Sequence, residues 1–387
     1  MVTALLPWFA QHARDLPWRH TRDPYAIHVS EIMLQQTQVK TVIPFWERWL
    51  RELPTIEAAA QAPSDKIHKL WEGLGYYTRV RNLQKAAQII VEKHGGKFPK
   101  QFDEVVALPG IGRYTAGAIC SIAFNQPTPI VDGNVIRVLT RVFGVAENPK
   151  EKGTNAKLWR LAEELVAHAA RLNLSHSSRR KEAHSQIRNP KPETRYNHSL
   201  LTSAATVTGL CSALNQSLME LGALICTTRN PQCQICPVKK LCFAFKENRV
   251  AELPSPGKRE AATTRHFIAF VVEHQGKFLV RQRPAGIVNA HLWEFPNIEI
   301  TTAKLDVTEI FQSIFRIAPP EVHRLCTVKH SITRYRLTLE ACRVQMKKVP
   351  KQADGIWLTP AQMQALAFTS AHRKVWRKMP VPMTLFT

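Results

Sequence analysis

Residues 108–119 read Leu-Pro-Gly-Ile-Gly-Arg-Tyr-Thr-Ala-Gly-Ala-Ile, which places a Gly-x-Gly turn between two segments of helical periodicity. Gly110 and Gly112 have no Cβ, so the backbone N–H groups of the turn can approach a ligand closely. The helix that follows presents its positive end at the same place, and together these features make a seat for a phosphate. The same turn also occurs as a plain tight connection between helices.

The net charge of the chain helps to decide whether this turn binds a phosphate or only connects two helices. The 387 residues include 53 Lys and Arg against 30 Asp and Glu, a formal net charge of +23 with the 15 His neutral. This excess indicates a polyanionic partner, either nucleic acid or an acidic membrane face. No run of about 18 apolar residues occurs, so no membrane-spanning helix is predicted. The charge therefore favours a DNA-backbone contact at the Gly-x-Gly turn.

The composition indicates a globular protein with room for two domains. The chain is 44% hydrophobic and 21% charged. Residues 1–9 have neither a basic segment nor a small-residue cleavage site, so we expect no secretory signal. Strand-like alternation is almost absent before residue 260. Apolar residues recur at helical spacing in residues 65–71, 83–91, 102–108, 113–124, 158–170 and 210–225.

Two stretches interrupt this pattern. Residues 173–209 are rich in Ser, Asn, His and Pro and bury too little apolar surface to offset the ordering entropy, which predicts a mobile basic insertion. It is either a tolerated surface loop or an arm that adds phosphate contacts. Residues 248–264 contain Pro-Ser-Pro-Gly-Lys-Arg at 254–259 and are predicted to be a linker.

The pattern after the linker is that of an α+β domain. Residues 267–272 and 277–280 flank residues 273–276 as the strands of a hairpin do. Residues 305–317 suit a helix, and residues 335–340 alternate like a half-buried strand.

Four of the eight cysteines lie close together in the sequence. Cys226, Cys233, Cys236 and Cys242 have the spacing C-x6-C-x2-C-x5-C, which suits a metal site in a reducing compartment. Tetrahedral zinc and an iron–sulfur cluster both take four thiolates, so both remain open, as does a site without metal. We interpret the isolated Cys120, Cys211, Cys326 and Cys342 as small buried hydrophobic residues.

Two carboxylates stand in apolar sequence. Glu31 lies within Val-Ser-Glu-Ile-Met-Leu at 29–34, and Asp132 within Pro-Ile-Val-Asp-Gly-Asn-Val at 129–135. Either one could be a helix cap or a salt-bridge partner. A desolvated Glu has a raised pKa and can serve as a general acid near neutral pH. A second carboxylate that stays ionised would stabilise positive charge, and cleavage of a glycosidic bond requires this division of roles.

These segments together resemble the adenine DNA glycosylase (MutY) family of the helix–hairpin–helix glycosylase superfamily. The resemblance covers residues 5–247 apart from the insertion, and the C-terminal part more loosely. It is carried by the hairpin, the cysteine spacing and the runs at 16–19 (Leu-Pro-Trp-Arg), 30–39, 73–77 (Gly-Leu-Gly-Tyr-Tyr), 131–135, 215–216 and 220–223.

The resemblance implies a multidomain protein. Its parts would be an all-α helix–hairpin–helix glycosylase domain (1–247) whose loop 226–242 holds a [4Fe–4S] cluster, the linker 248–264, and an α+β MutT/Nudix-like domain (265–387). It implies a bacterial cytoplasmic monomer whose partner is double-stranded DNA containing A:8-oxoguanine or A:G mispairs, with no membrane association.

The resemblance also implies residue roles. Glu31 matches the catalytic acid that protonates adenine N7 and then assists water, and Asp132 matches the residue that stabilises the cationic sugar or bonds to it transiently. The remaining matched positions are Trp18, Arg19 and Gln216 in the adenine pocket, Tyr114 against the reacting nucleotide, Gln36 and Tyr76 in the base stack, and Gly110 and Gly112 at the DNA backbone.

Tyr114 distinguishes this chain within the superfamily. The related endonuclease III has a Lys at this position, which forms a Schiff base and cleaves the backbone. Tyrosine cannot form an imine, so we expect base removal without efficient strand cleavage. The alternatives are an endonuclease III-like glycosylase/lyase, a non-catalytic iron–sulfur DNA-binding protein and, least favoured, a Nudix hydrolase.

The C-terminal domain resembles the MutT-like domain that recognises 8-oxoguanine opposite the adenine, with residues 286–296 fitting that pattern. The acidic helix of Nudix hydrolases is missing, since residues 306–312 read Asp-Val-Thr-Glu-Ile-Phe-Gln, so no Mg²⁺-dependent chemistry is expected. The family's Phe-Ser-His is replaced here by Ile332-Thr333-Arg334, which follows Ser331. The aromatic wedge is absent, but Ser331, Thr333 and Arg334 keep hydrogen-bonding groups for the lesion.

Overall fold

The computed structural model describes residues 1–185, 209–255, 257, 261–300, 306–332, 335–349 and 354–379, and for residues 173–185 and Ile332 it describes the backbone alone. The chain forms two compact units. The first combines Met1–Gln61 with Asn82–Lys258, and the second combines Ala62–Arg81 with Arg259–Thr387. The sequence pattern gave no indication that Ala62–Arg81 belongs with the C-terminal unit.

The described part of the chain before residue 260 is helical, as predicted. The α-helices are α1 Val2–His12, α2 Pro24–Leu34, α3 Val39–Glu52, α4 Ile56–Gln61, α5 Ser64–Leu70, α6 Thr78–His94, α7 Phe102–Val106, α8 Arg113–Phe124, α9 Gly133–Phe143, α10 Lys152–Ser185, α11 Leu210–Leu224 and α12 Phe243–Lys246. Short 3₁₀ helices span Pro17–Arg19, Cys233–Ile235 and Lys239–Leu241.

The first part of the predicted insertion at 173–209 is helical, which the sequence did not indicate. Helix α10 continues to Ser185. Arg179, Arg180, Lys181, Glu182 and Ala183 are strong helix formers, so the helix propagates through them despite their polarity. Residues 186–208 lie outside the described residues.

Local signals fix the helix ends that frame the site. The side chain of Asp23 accepts hydrogen bonds from the backbone N–H groups of Tyr25 (3.0 Å) and Ala26 (3.3 Å), and Pro24 occupies the first turn, so α2 begins there. Helices α8 and α9 each end at a left-handed residue, Asn125 and Gly144.

Helix α11 lies at the centre of the first unit. It packs against α1, α8, α9 and α10, and its Leu214, Leu218 and Leu221 are buried. Each fully buried leucine contributes about 1.5–3 kcal/mol to folding. The same helix also buries Asn215, Gln216, Ser217 and Glu220. Because buried polar groups require partners, each of these side chains must find its hydrogen bonds within the protein.

The predicted linker is only partly a linker. Leu253 is buried in the core of the first unit, and its carbonyl accepts a hydrogen bond from Nε of Arg141 at 2.8 Å. The first strand of the second unit already begins at Thr263. The composition indicated flexibility, but one leucine among polar residues suffices to dock the first half of this segment.

The second unit is built on a mixed sheet, in agreement with the predicted α+β class. Its elements are β1 Thr263–His274, β2 Lys277–Gln282, β3 Trp293–Glu294, β4 Asn297–Ile300, α13 Val307–Phe315, β5 His323–Ile332, β6 Tyr335–Gln345, β7 Ile356–Leu358, α14 Pro360–Ala365 and α15 Ser370–Arg377. The strand order is β3-β2-β1-β6-β5, with β4 paired to β1 and β7 to β2. Only the β1–β6 pair is parallel among the described strand pairs.

The predicted hairpin at 267–280 is confirmed. Glu273 pairs with Phe278 and His274 with Lys277 across a tight turn. Residues of β1 alternate between two cores: Ala269 and Val271 pack on the side of α15, and Phe270 packs on the side of α13. Both faces of the sheet are therefore covered.

Residues 62–81 are held to the C-terminal part of this unit by polar contacts. Glu72 accepts the backbone N–H of Phe368 at 3.2 Å, and Lys69 donates to the carbonyl of Leu366 at 3.2 Å.

Within the described ranges, every helix is too short or too polar to span a membrane.

Candidate active site

Helices α2 and α8 bring Glu31 and Tyr114 into contact. The Tyr114 hydroxyl donates to Oε2 of Glu31 at 2.8 Å, and only 6% of Glu31 is exposed. Burial raises the pKa of Glu31 to about 7, the Tyr114 hydrogen bond opposes this rise, and the charge of Asp132 adds to it. A large fraction of Glu31 is therefore protonated at neutral pH, as a general acid requires.

Asp132 lies at the N-cap of α9, and the groups that donate hydrogen bonds to its carboxylate differ from the one that donates to Glu31. Its carboxylate accepts the backbone N–H of Val135 at 2.7 Å and the side-chain amide of Asn134 at 3.0 Å. Burial has the largest effect and raises the pKa of Asp132 above its usual value, while these donors together with Arg137 oppose the rise. Hydrogen bonds to the charged form, together with the positive end of α9, favour an ionised carboxylate.

A hydrogen-bond path runs from Asp132 to the cysteine loop. Arg137 donates to Oδ1 of Asn134 at 2.9 Å, and its Nε donates to the carbonyl of Cys226 at 2.6 Å. The other end of the path is the Asn134 amide on Asp132. No feature of the sequence indicated a role for Asn134 or Arg137.

Helix α11 supplies a buried carboxylate that sequence analysis did not assign. Glu220 is 1% exposed and accepts hydrogen bonds from Arg14 (2.8 Å) and Arg19 (2.8 Å). Burial raises the pKa of Glu220, but the hydrogen bonds from the two arginines outweigh it and bring the pKa down to about 2. The guanidinium of Arg19 also lies over the ring of Phe9 at 5.2 Å. Glu220 stands in an apolar run, the same signal that singled out Glu31.

The other predicted pocket residues are buried. Trp18 is 7% exposed and makes an edge contact with Trp46, ring centroids 6.0 Å apart. Gln216 donates to the Ser212 hydroxyl at 3.1 Å and lies one turn before Glu220 on α11. Between them, Met219 places its sulfur 3.4 Å from the Tyr114 hydroxyl.

The two glycines of the hairpin, Gly110 and Gly112, differ in the space that a side chain would find there. Gly110 has φ +78°, and a Cβ there would lie 2.6 Å from the Cβ of Asn82, so the protein itself requires glycine. A Cβ at Gly112, the N-cap of α8, would meet nothing within 4 Å. The space beside Gly112 is open for an approaching ligand.

Gln36 and Tyr76, each in its own unit, have left-handed backbones. Their φ angles are 58° and 49°, a conformation that costs non-glycine residues about 1–3 kcal/mol and is concentrated at functional sites. Tyr76 is 37% exposed, and the guanidinium of Arg79 lies 5.5 Å from its ring.

The four clustered cysteines line one cavity, whose wall also contains Arg141. Arg141 donates to the Sγ of Cys226 at 3.4 Å and to the Thr227 carbonyl at 2.8 Å, and its own carbonyl accepts from the Sγ of Cys242. Among the described residues no group of three or more His, Cys, Asp or Glu is arranged to hold a metal ion. Cys120, Cys211 and Cys342 are buried as predicted, whereas Cys326 is half-buried.

The predicted lesion-recognition residues are only partly described. Ser331 is exposed near the end of β5, opposite Arg336 of β6. Thr333 and Arg334 lie outside the described residues. Helix α13, where Nudix hydrolases carry their acidic cluster, has Glu309 as its single carboxylate after the capping Asp306.

Comparison with known proteins identifies the class of both parts of the chain. Residues 29–164 match the model of the HhH-GPD superfamily of base excision DNA repair proteins, and residues 268–378 match the NUDIX domain. The chain is thus a helix–hairpin–helix base excision repair protein with a Nudix-like second domain, as the sequence predicted.

The full-length relatives narrow this class. The adenine DNA glycosylase of Mus musculus is 31% identical, over 96% of this chain and 76% of its own length, and that of Buchnera aphidicola (Schizaphis graminum) is 34% identical, over 76% and 74%. The chain belongs to the adenine DNA glycosylase family.

Two solved structures each align with a portion of the chain. A thermostable thymine-DNA glycosylase aligns with TM-score 0.49 and 29% identity, covering 64% of this chain and 95% of that chain. The C-terminal domain of mouse MUTYH in complex with human PCNA aligns with TM-score 0.26 and 26% identity, covering 31% of this chain and 87% of that chain.

Proposed function

We propose that the protein hydrolyses the N-glycosidic bond of adenine mispaired with 8-oxoguanine or guanine in double-stranded DNA. One observation carries this proposal: a buried Glu31, with a pKa of about 7, is held by Tyr114 and electrostatically coupled to a capped Asp132. A protonated and an ionised carboxylate at one site are what cleavage through an oxocarbenium-like state requires.

The proposed reaction uses the two carboxylates in turn. Glu31 donates its proton to N7 of adenine, and the electrons of the breaking C1′–N9 bond pass into the departing base. Asp132 stabilises the positive charge left on the sugar or bonds to it transiently. Water then attacks C1′ and returns a proton to Glu31, which restores the acid. Tyr114 orients Glu31 throughout and contacts the reacting nucleotide.

The adenine must leave the base stack before it reacts. Unstacking costs a few kcal/mol, and side chains inserted into the duplex offset that cost. We assign this insertion to Gln36 and Tyr76, whose strained backbones support the assignment. Trp18, Arg19 and Gln216 would line the adenine pocket, with Arg19 positioned by Glu220. Gly110 and Gly112 would present backbone N–H groups to a DNA phosphate.

We propose that the enzyme is monofunctional. Strand cleavage by a lyase needs an amine that forms an imine with C1′, and the phenol of Tyr114 beside Glu31 cannot form one. Purified protein should therefore release adenine much faster than it nicks DNA with a preformed abasic site. Equal rates would favour an endonuclease III-like lyase instead.

We propose that Cys226, Cys233, Cys236 and Cys242 hold a [4Fe–4S] cluster. Their shared cavity, four thiolate donors and a neighbouring guanidinium, Arg141, suit a group whose bridging sulfides accept hydrogen bonds. The cluster would supply a fixed cross-link of this loop. Through Arg137, the chain itself links the loop to Asn134 and Asp132.

We propose that the second unit recognises the base opposite adenine and has no pyrophosphatase activity, since its acidic helix is missing. Ser331, Thr333 and Arg334 are the candidate lesion contacts.

The proposed function is tested by an excision assay on duplexes with A opposite 8-oxoguanine, G or C. We expect rapid release opposite 8-oxoguanine, slower release opposite G and little opposite C. No release from any of the three would overturn the proposal.

A further inference from the structure

A groove in the second unit is lined by cations. It lies between β5, at the edge of the sheet, and α15, and it has a volume of about 340 Å³. Of the described residues, those that line it are Thr327, Val328, Lys329, Lys374, Arg377 and Lys378. We call it the β5–α15 groove.

The positive charge of the groove is not neutralised within the described part of the chain. None of its four cationic side chains has an ion-pair partner among these residues. Glu340, which lies opposite Thr327 in the strand register, is paired instead with Arg324 at 3.1 Å. Burial and the charge of Lys374 together lower the pKa of the adjacent His330.

Helix geometry accounts for some of these cations but not for all. Lys374, Arg377 and Lys378 are spaced i, i+3 and i+4, so they share one face at the C-terminal end of α15. The helix dipole favours cations at this end, but like charges one turn apart disfavour each other. The dipole does not explain Lys329, which extends from a strand into the same groove. Cations from two elements that converge on one concavity indicate an anionic ligand.

We propose that the β5–α15 groove binds the phosphate backbone of DNA, an inference that rests on the proposed function. The groove follows β5 from Thr327 towards Ser331, the candidate lesion contact. Four residues of strand span about 13 Å, so a DNA backbone seated in the groove would lie close to the end of β5 that carries Ser331. A backbone contact here would hold the strand while the end of β5 contacts the base.

The salt dependence of binding tests the proposal. In the full chain, Lys329, Lys374, Arg377 and Lys378 are changed together to Ala, and affinity for an undamaged duplex is measured from about 50 to 200 mM salt. Each lost phosphate contact should flatten the slope of log K against log salt by about 0.9. If all four contacts are lost, the wild type loses roughly 150-fold more affinity than the variant over this range.

Two controls accompany this variant. Lys277, Lys347 and Lys348 are exposed lysines of the same unit outside the groove, and their triple Ala variant should keep the wild-type slope. Changing Lys329, Lys374 and Lys378 to Arg keeps the charge and should keep the slope as well. If the quadruple Ala variant does not fold, the double Ala variant of Lys374 and Lys378 replaces it. Its slope of log K against log salt should flatten by about half as much as expected for the quadruple variant.

The outcomes separate this inference from the proposed function. Excision of A opposite 8-oxoguanine by the wild type, with an unchanged slope in the groove variants, would refute the groove alone. A flattened slope in a protein that excises nothing would refute the proposed activity and retain the groove. Loss of nucleoside triphosphate binding with an unchanged DNA slope would identify a nucleotide site and overturn the proposal.

Discussion

The Tyr114 hydroxyl lies 2.8 Å from Oε2 of Glu31 and is the hydrogen-bond donor in that pair. The bond favours the ionised carboxylate, while burial favours the protonated one, and burial has the larger effect. The protonation state of the proposed acid is therefore set by two opposing influences, and each can be changed separately.

Tyr114→Phe removes the donor and leaves the burial of Glu31 in place. The pKa of Glu31 should rise above about 7, because the influence that lowers it is lost. Since excision needs the protonated acid, the alkaline limb of the pH–rate profile should move to higher pH. Single-turnover excision across this range measures the shift. An unchanged limb would show that the hydroxyl does not act on Glu31.

Asn134→Ala should move the acidic limb of the pH–rate profile of excision. The Asn134 side chain donates to Asp132 at 3.0 Å and lowers the pKa of that carboxyl. Without it the pKa of Asp132 rises, and the ionised form is lost at a higher pH as the solution is acidified. We expect the acidic limb of excision to shift upwards while the alkaline limb stays. A shift of both limbs would contradict separate roles for the two carboxylates.

Arg19→Met should destabilise the first unit. Arg19 is paired with the buried Glu220 at 2.8 Å, and removing a partner of a buried charge is strongly unfavourable. Because Arg14 remains as a second partner, we expect a loss of about 2–3 kcal/mol in the free energy of unfolding at neutral pH. Arg22→Met, at an exposed arginine, is the matched control.

The pH dependence of this loss follows from Glu220. Its pKa falls to about 2 in the folded protein, so the stabilisation is complete above the ordinary carboxyl pKa and is lost as the pH falls towards about 2. The difference between wild type and Arg19→Met should therefore shrink in acid. Denaturant unfolding at neutral pH and near pH 3 measures it. A difference that does not change with pH would contradict the pairing.

The metal content separates a cluster from zinc. We expect protein purified without oxygen to contain about four iron atoms per chain, with matching sulfide and visible absorption. Cys236→Ala should lose iron and stability, while Cys326→Ala, which changes a half-buried cysteine outside the cavity, should keep both. One zinc per chain and no iron would overturn the assignment.

Local signals in the sequence predicted much of this structure. Helix 113–124 was predicted at its observed ends because apolar residues recur at helical spacing there, with Pro109-Gly110 before this segment and Pro-Thr-Pro at 127–129 after it. The hairpin of residues 267–272 and 277–280 was predicted because these two apolar runs flank the short polar segment 273–276. Glu31 and Asp132 were identified because a carboxylate in apolar sequence is unusual wherever the chain places it.

Contacts between distant residues could not be predicted in this way. Glu72 accepts the N–H of Phe368, 296 positions away, and this contact joins residues 62–81 to the C-terminal part of the second unit. Arg19 and Glu220 are 201 positions apart. Arg137 contacts Cys226 only because α9 packs beside α11 and the cysteine loop. Such contacts depend on tertiary packing, and no spacing rule in the sequence encodes them.

The most direct test of the account is the excision rate of Glu31→Gln. Glutamine keeps the shape of Glu31 and a partner for Tyr114 but cannot donate the carboxyl proton. We predict that single-turnover excision of A opposite 8-oxoguanine falls by on the order of 10²–10⁴-fold, with duplex affinity unchanged, while Glu92→Gln at an exposed position has no effect. Excision by Glu31→Gln near the wild-type rate would contradict the central claim that Glu31 is the proton donor.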